Sequence, residues 1–297
     1  MDAPVVVGYD ASPESTVAVR WAAREASRRG VALDVVHVWG FAGEPRGGAG
    51  SGWLGEKVAE AVHAVADEGA DAGRAQAPGL EVTGVVAYGS PAQALVDRAA
   101  TAALLVVARS GTGRSPTSMV GSVAAGVLAH APCPVVCVPA STDLDAGRRS
   151  VVVGLDGSPG STAALAEAVE IADGAPLTVV TTWTPITETT TLTYWATAYP
   201  DSSPDQVAAE RAERVQEQAR DWVTERFPDV EVSWVVERGR AGDVLVELSR
   251  HAGLTVIGAR GRGGLASLLL GSVSRSVVRR AHGPVLVTRT RPEAGAQ

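Results

Sequence analysis

The sequence contains one series of motifs twice, and this repeat limits the possible folds more than any other feature. The stretch VVVGYDASPES begins at Val5 and returns as VVVGLDGSPGS at Val151. Near the end of each copy, VGSVAAGVLAHAPCPVVCV from Val120 matches LGSVSRSVVRRAHGPVLVT from Leu270. Self-similarity at one long period indicates that each copy is a structural unit. A length of 297 residues also suits two domains of ordinary size.

The domain boundaries follow from the positions of the two copies. We predict a first domain over residues 1–140 and a second over residues 151–290, followed by a tail at 291–297. The polar stretch STDLDAGRRS, residues 141–150, is typical of a linker.

Within each copy, short apolar runs alternate with helical patterns. Strands that are continuous β-branched runs, each followed by an amphipathic helix, predict a parallel sheet covered on both faces. With right-handed crossovers, this gives an α/β fold of two tandem, doubly wound, five-stranded sandwiches. In the first copy we predict strands at Val5–Val7, Ala32–Val38, Glu81–Val86, Leu104–Val107 and Val135–Val138, and helices at Glu14–Arg29, Trp53–Gln76, Pro91–Ala102 and Ser122–His130.

One segment departs from the repeat. Residues 184–206 are longer and more aromatic than their counterpart in the first copy. The segment is either a surface loop, or a lid or contact surface to which Tyr194, Trp195 and Tyr199 contribute apolar area.

Charge and lysine content exclude two common kinds of binding protein. The net charge is −7 and the isoelectric point is about 5.3, so no general nucleic-acid-binding surface is expected. Lys57 is the only lysine and does not follow a glycine-rich turn, so the chain has no P-loop. The start of the sequence does not resemble a signal peptide, and no apolar stretch approaches the roughly 18 residues of a membrane helix. We predict a cytoplasmic protein without membrane or nucleic-acid partners.

Neither the cysteines nor the histidines are spaced like metal ligands. Cys133 and Cys137 lack the second pair that a zinc site needs, so we interpret them as small buried residues around a strand. The five histidines show no ligand spacing, and we predict no metal bound by the protein alone.

The first strand of each copy ends in an aspartate, Asp10 in VGYDAS and Asp156 in VGLDGS. Ligands of doubly wound sheets bind beyond the carboxyl ends of the strands, where the strand order reverses. A carboxylate there can bond a ribose hydroxyl or hold a phosphate-bound metal ion. It can equally cap the following helix, and the sequence leaves both roles open.

A glycine-rich stretch follows the fourth strand of each copy. In the second copy it reads Gly258-x2-Gly261-x9-Gly271-Ser272, directly before the last helix. Glycines allow backbone N–H groups and a phosphate to approach each other, and a helix start favours negative charge. The arginines on either side of Gly261 either neutralise such charge or are simply solvated. The candidate residues are Asp156, Gly258, Arg260, Gly261, Arg262, Gly271, Ser272 and Val273 in the second copy, and Asp10, Gly111, Gly121, Ser122 and Val123 in the first.

These motifs resemble those of the ATP-binding universal stress proteins. The resemblance rests on the frame G-x2-G-x9-G-[ST] after a fourth strand, the aspartate after the first strand and the ending GSVSRSVVRRAHGPVLVT, and it covers nearly the whole chain. It implies a Rossmann-like fold in which the aspartate contacts the sugar region of a nucleotide and the glycine loop holds the phosphates. The implied cofactor is ATP, and any Mg²⁺ would arrive with it.

The resemblance also implies how the domains assemble. The last strands, Val135–Val138 and Val285–Thr288, would leave open apolar edges, which attract partners. We expect the two halves to pair through these strands as an internal pseudo-dimer, and two chains to form a homodimer.

The first copy departs from the frame at its leading position. It has Ala108 where the second copy has Gly258, and Pro116 lies in the intervening loop. Alanine is tolerated there only if its φ is negative. On these two residues we expect the first site to bind nucleotide more weakly than the second.

The glycine stretches lack the groups of a phosphoryl-transfer enzyme. From Ala108 to Val123 and from Gly258 to Ser274 there is no Asp, Glu or His to orient water or accept a proton. We favour the interpretation that the protein senses or sequesters ATP in a stress response and signals through its conformation or a partner. The alternatives are a nucleotide-dependent enzyme, such as a slow ATPase or an adenylating enzyme, and an interaction module with empty sites.

Overall fold

The computed structural model describes residues 3–40, 52–112, 120–144, 150–185, 192, 195, 197–198, 202–262 and 270–289, and side chains of helix 52–76 from residue 57 onward. The chain divides into two compact units, Met1–Asp145 and Ala146–Gln297. The predicted tail at 291–297, Pro116, and both Tyr194 and Tyr199 of the aromatic segment lie outside the described residues.

The first unit is a five-stranded parallel sheet with helices between successive strands. Its strand order is β3-β2-β1-β4-β5. The strands are β1 (Val5–Gly8), β2 (Leu33–Trp39), β3 (Val82–Tyr88), β4 (Leu104–Ala108) and β5 (Val135–Val138), and the helices are α1 (Pro13–Arg29), α2 (Gly52–Gln76), α3 (Pro91–Ala99) and α4 (Ser122–His130).

The second unit repeats this architecture. Its strand order is β8-β7-β6-β9-β10, again with every described pair parallel. The strands are β6 (Val151–Gly154), β7 (Leu177–Trp183), β8 (Val232–Arg238), β9 (Leu254–Gly258) and β10 (Val285–Thr288), and the helices are α5 (Pro159–Ala172), α6 (Pro204–Arg226), α7 (Ala241–Leu248) and α8 (Ser272–Arg280). The predicted pair of doubly wound α/β sandwiches is confirmed; the third helix ends at Ala99 rather than at Ala102.

The core of each unit lies on both faces of its sheet. Central strands β1 and β4 are continuous apolar runs, and their Val and Leu side chains are almost fully buried. In the first unit, α1 and α2 pack against each other over one face, and α3 packs against α4 over the other. This two-sided cover explains why the strands read as unbroken β-branched runs rather than as alternating ones.

The strand order fixes where a ligand site can form. In each unit the chain runs outward from the central strand on one side and then crosses to the other, so the order reverses beside β1 in the first unit and beside β6 in the second. The crevice beyond the carboxyl ends of β1 and β4, or of β6 and β9, is therefore the expected ligand position.

The two cysteines are buried, and neither forms a disulfide bond. Burial raises the pKa of Cys137 to about 12, although Arg109 nearby lowers it. The interpretation of both as small buried residues is confirmed. Among the described residues, no group of three or more His, Cys, Asp or Glu side chains could hold a metal ion, and no helix there is long and apolar enough to cross a membrane.

The turn after each central strand contains a left-handed residue, and this predicts a measurable difference between the units. Ala11 has a φ of 61° and its counterpart Gly157 has a φ of 77°. A left-handed conformation disfavours alanine by roughly 1–2 kcal/mol, but glycine loses about 0.5–1 kcal/mol through backbone entropy. We therefore expect Ala11→Gly to raise the free energy of unfolding by up to about 1 kcal/mol, as measured by denaturant titration.

The matched substitution in the other unit should act in the opposite direction. An alanine Cβ at Gly157 would lie 3.2 Å from Val215 in addition to the strained φ, so Gly157→Ala should be destabilising. A loss of stability in Ala11→Gly would contradict this account of the turn.

Candidate functional site: two equivalent pockets

A pocket of about 480 Å³ lies at the carboxyl edge of the first sheet, and we call it the N-terminal pocket. The ends of β1, β2 and β4, the first turn of α4 and the inner face of α3 form its walls. Its volume lies within the range of small-molecule sites. The lining residues are Gly8, Tyr9, Asp10, Ser15, Val36, His37, Val38, Pro91, Leu95, Val107, Ala108, Ser110, Gly111, Thr112, Gly121, Ser122, Val123 and Ala124.

The C-terminal pocket, of about 360 Å³, occupies the equivalent place in the second unit. The ends of β6, β7 and β9 and the helices α7 and α8 form it. The lining residues are Gly154, Leu155, Asp156, Ser161, Val180, Thr182, Ala241, Leu245, Ile257, Gly258, Arg260, Gly261, Arg262, Gly271, Ser272, Val273, Ser274 and Arg275. Every candidate residue named from the sequence lines one of the two pockets.

The aspartates connect the end of the first strand to the glycine loop. Asp156 Oδ2 accepts a hydrogen bond from the backbone N–H of Arg262 at 3.2 Å, and its Oδ1 accepts one from Ser158 N–H at 2.9 Å. Helix α5 is capped instead by Ser158, whose hydroxyl accepts from Ser161 N–H at 3.2 Å. In the first unit the roles are the same. Asp10 accepts hydrogen bonds from the N–H groups of Ser12 and Thr112, and the Ser12 hydroxyl caps α1. The aspartate is therefore not the helix cap, and its carboxylate holds the start of the glycine loop, at Thr112 or Arg262.

Hydrogen bonding keeps both carboxylates charged. Burial raises the pKa of Asp156, but hydrogen bonds from Ser158, Ser161 and Arg262 outweigh it and leave the pKa below its ordinary value. The pKa of Asp10 is lowered in the same way. The stabilisation from these groups is present above their unfolded-chain pKa and is lost only in acid, as the pH falls through the lower folded pKa.

Gly111 and Gly261 are required because the carboxylates lie against them. A Cβ added to Gly261 would overlap Asp156 Oδ2, and one added to Gly111 would overlap Asp10 Oδ2. Neither glycine has a positive φ. Close approach of the carboxylate, rather than an unusual backbone conformation, explains glycine at both positions.

Gly121 and Gly271 have a different role. Each is the N-cap residue of the last helix, with a φ of −62° or −68°, and no side chain caps that helix. The nearest heavy atoms to an added Cβ would be 3.5 Å away, an ordinary contact. Packing within the protein therefore does not demand glycine here. Glycine leaves the first N–H groups of α4 and α8 accessible from the pocket, where the helix dipole favours an anion.

Gly258 is explained by helix packing. An added Cβ would lie 2.6 Å from Gly160 C and 3.0 Å from Ser161 N, because the start of α5 packs directly on the end of β9. The equivalent residue of the first unit is Ala108. Its φ is not positive, so alanine is tolerated at this position. Ala108 therefore no longer supports the expectation that the first site binds nucleotide more weakly than the second.

Sequence reasoning missed the walls supplied by the second strand and third helix of each unit. Val36, Val38 and Leu95 line the N-terminal pocket, and Val180, Thr182 and Leu245 are their counterparts in the C-terminal pocket. His37 also lines the N-terminal pocket, with its Nδ1 3.0 Å from Tyr9 O. The signal was available in the strand order, since the second strand neighbours the first and ends at the same edge.

The architecture and both pockets define a tandem of doubly wound α/β domains, each with a ligand crevice between an aspartate-held glycine loop and a helix start. A sequence model described as the universal stress protein family matches residues 2–139 and 147–289. The chain belongs to the universal stress protein family.

Known relatives share the tandem organisation. Universal stress protein Rv2623 of Mycobacterium tuberculosis is 35% identical over 96% of this chain and 96% of its own length. A universal stress protein structure from Archaeoglobus fulgidus covers 97% of this chain and 98% of that chain, with a TM-score of 0.70 and 20% identity, and shows the same fold. A shorter structure, described as a universal stress protein in complex with cAMP, covers 47% of this chain and 96% of that chain, with 29% identity and a TM-score of 0.36.

Proposed function

We propose that the protein binds ATP in its two pockets and acts in a stress response as a sensor or reservoir of nucleotide. The observation that carries the proposal is the pairing, in both units, of a carboxylate-held glycine loop with an uncapped helix N-terminus. Such a helix start is a ready anion site, and the apolar strand and helix walls beside it suit a nucleoside.

Each part of the pocket has a role in this proposal. The helix start at Ser272 and Val273, with Gly271, would receive the phosphates. The apolar wall of Val180 and Leu245 would contact the base or sugar. Asp156 is the single carboxylate among the described residues of this pocket, so any Mg²⁺ would be held mainly by the phosphates of ATP.

A binding role is favoured over an enzymatic one. In the C-terminal pocket the described lining offers no histidine or glutamate to act as a general base. His37 in the N-terminal pocket is the one observation that favours the alternative of slow hydrolysis. Signalling would follow from a nucleotide-dependent change of conformation or partner. The internal pseudo-dimer, the homodimer and the cytoplasmic location stay predictions.

Nucleotide released from the purified protein tests the proposal. We expect ATP to be extracted from the gently purified chain, identified by mass, and to raise the midpoint of thermal unfolding when added back. Saturation at about 100 times Kd should stabilise a unit by about 2.7 kcal/mol. Turnover of ATP with a defined acceptor would instead support the enzymatic alternative, and absence of any nucleotide binding would leave an interaction module.

Asp156→Ala should weaken binding in the C-terminal pocket. The change removes the acceptor of the Arg262 N–H, so the glycine loop loses its attachment to the end of β6. Losing a hydrogen bond to a charged group costs about 1.5–3 kcal/mol, which is roughly tenfold or more in Kd. Calorimetric titration with ATP measures the change. Asp229→Ala, which removes the same charge from an exposed turn, is the control.

The chain should remain folded, because Ser158 still caps α5. An unchanged affinity would assign Asp156 to the turn before α5 alone.

A further inference from the structure

The described residues that line the loop and helix sides of the two pockets differ in charge. Three arginines, Arg260, Arg262 and Arg275, line the C-terminal pocket. In the register of the repeat, the first unit has Ser110, Thr112 and Ala125 at these positions. No arginine or lysine is found among the described residues that line the N-terminal pocket.

A fourth arginine, Arg289, lies near Arg260 but is not among the residues that line the pocket. Arg289 follows β10, and Pro139 is its counterpart after β5. Burial, together with the nearby charge of Arg260, lowers the pKa of Arg289. The positive charges of Arg260 and Arg289 act unfavourably on each other. In the first unit, Arg109 does not line the pocket and its charge acts on Cys137 instead.

The residue that donates its backbone N–H to the aspartate also differs in charge between the two pockets. In the N-terminal pocket, Thr112 donates to Asp10 Oδ2 from both its backbone N–H at 3.0 Å and its hydroxyl at 3.3 Å. At the same place Arg262 donates to Asp156 Oδ2 through its backbone N–H. Thr112 thus turns its side chain toward the loop's own aspartate and adds no charge to the pocket.

The apolar walls, by contrast, are mostly alike, although the C-terminal pocket has Thr182 in place of Val38. Val36 and Leu95 in the N-terminal pocket correspond to Val180 and Leu245 in the C-terminal pocket. Both pockets therefore offer similar contacts to an uncharged nucleoside. Their difference acts on the charged part of a ligand.

We propose that the two pockets divide nucleotides by phosphate charge. The C-terminal pocket selects nucleoside triphosphates through Arg260, Arg262 and Arg275, and the N-terminal pocket takes nucleosides and monophosphates nearly as well as triphosphates. This inference rests on the proposed nucleotide binding. Arginine suits the role because its guanidinium forms paired, charge-assisted hydrogen bonds with phosphate oxygens.

The test exchanges the arginines for the residues of the other unit in the full chain. Arg260→Ser, Arg262→Thr and Arg275→Ala are combined, and ATP, AMP and adenosine are titrated by calorimetry. In the native chain we expect one site to prefer ATP over AMP by about tenfold or more, from at least one charge-assisted contact. In the triple variant this preference should fall below about threefold, while adenosine affinity stays unchanged.

The control removes three exposed arginines away from the pocket, Arg211→Ala, Arg214→Ala and Arg279→Ala, and should keep the ATP preference. The reciprocal change of Ser110→Arg with Thr112→Arg should create a second ATP-preferring site. Two results would overturn the division by charge while leaving the proposed function intact. One is a triple variant that still prefers ATP by about tenfold, and the other is a native chain in which both sites prefer ATP. If adenosine, AMP and ATP all fail to bind the native chain, the proposed function itself falls.

Discussion

Replacing Gly261 with alanine is expected to lower the ATP affinity of the C-terminal pocket by at least about tenfold. The added Cβ would overlap Asp156 Oδ2, so either the carboxylate or the loop must move away. Both movements break the hydrogen bond from Arg262 N–H that holds the loop beside the helix start. The loss should equal or exceed that of Asp156→Ala, because the alanine also displaces the loop. Calorimetric titration of the full chain with ATP measures it.

Gly271→Ala separates this effect from a clash with the ligand itself. Its Cβ would be 3.5 Å from the nearest protein atoms, so the loop and its hydrogen bonds should stay in place. Reduced ATP affinity with an unchanged thermal midpoint in Gly271→Ala would mean that phosphate approaches the helix start. Full ATP affinity in Gly261→Ala would contradict the role given to the carboxylate-held loop.

Replacing Gly258 with alanine is expected to lower the stability of the second unit by about 1–3 kcal/mol, the usual cost of overpacking a closely packed interior. The new Cβ would lie 2.6 Å from Gly160 C and 2.7 Å from Gly160 O. These are backbone atoms at the start of α5, and they cannot move aside as a flexible side chain can. Differential scanning calorimetry should show the shift as a decrease of about 2–4 °C per kcal/mol in the midpoint of that unit.

The first unit provides the matched control. It already has alanine at the equivalent position, and Glu14 stands where the second unit has Gly160. Ala108→Gly should therefore lower stability by no more than about 0.5–1 kcal/mol, through backbone entropy alone. Equal effects of Gly258→Ala and Ala108→Gly would show that the contact with Gly160 does not limit the packing of α5.

The sequence alone determined the architecture and which aspartate, glycine-loop and helix-start residues line each pocket. Continuous Val and Leu runs such as Leu104–Val107 predict two-sided burial, and the repeat shows the same order of elements twice. Asp156, Gly261 and Ser272 could be assigned to one site because parallel strands end at one edge of a sheet. These inferences need only the local hydrophobic pattern and the order of the elements along the chain. Both can be taken directly from the sequence.

Only the tertiary structure decided what each residue does within the site. Two glycines of one motif are required for different reasons. The start of α5 leaves no room for a Cβ at Gly258, and the carboxylate of Asp156 leaves none at Gly261. The choice between helix cap and loop holder for the aspartate depended on which N–H group lies within hydrogen-bond distance of its oxygens. The contacts of Gly258 with Gly160 and of Asp156 with Arg262 join residues about 100 positions apart. Their distances are set by how helices and loops pack at the edge of the sheet, which no local pattern records.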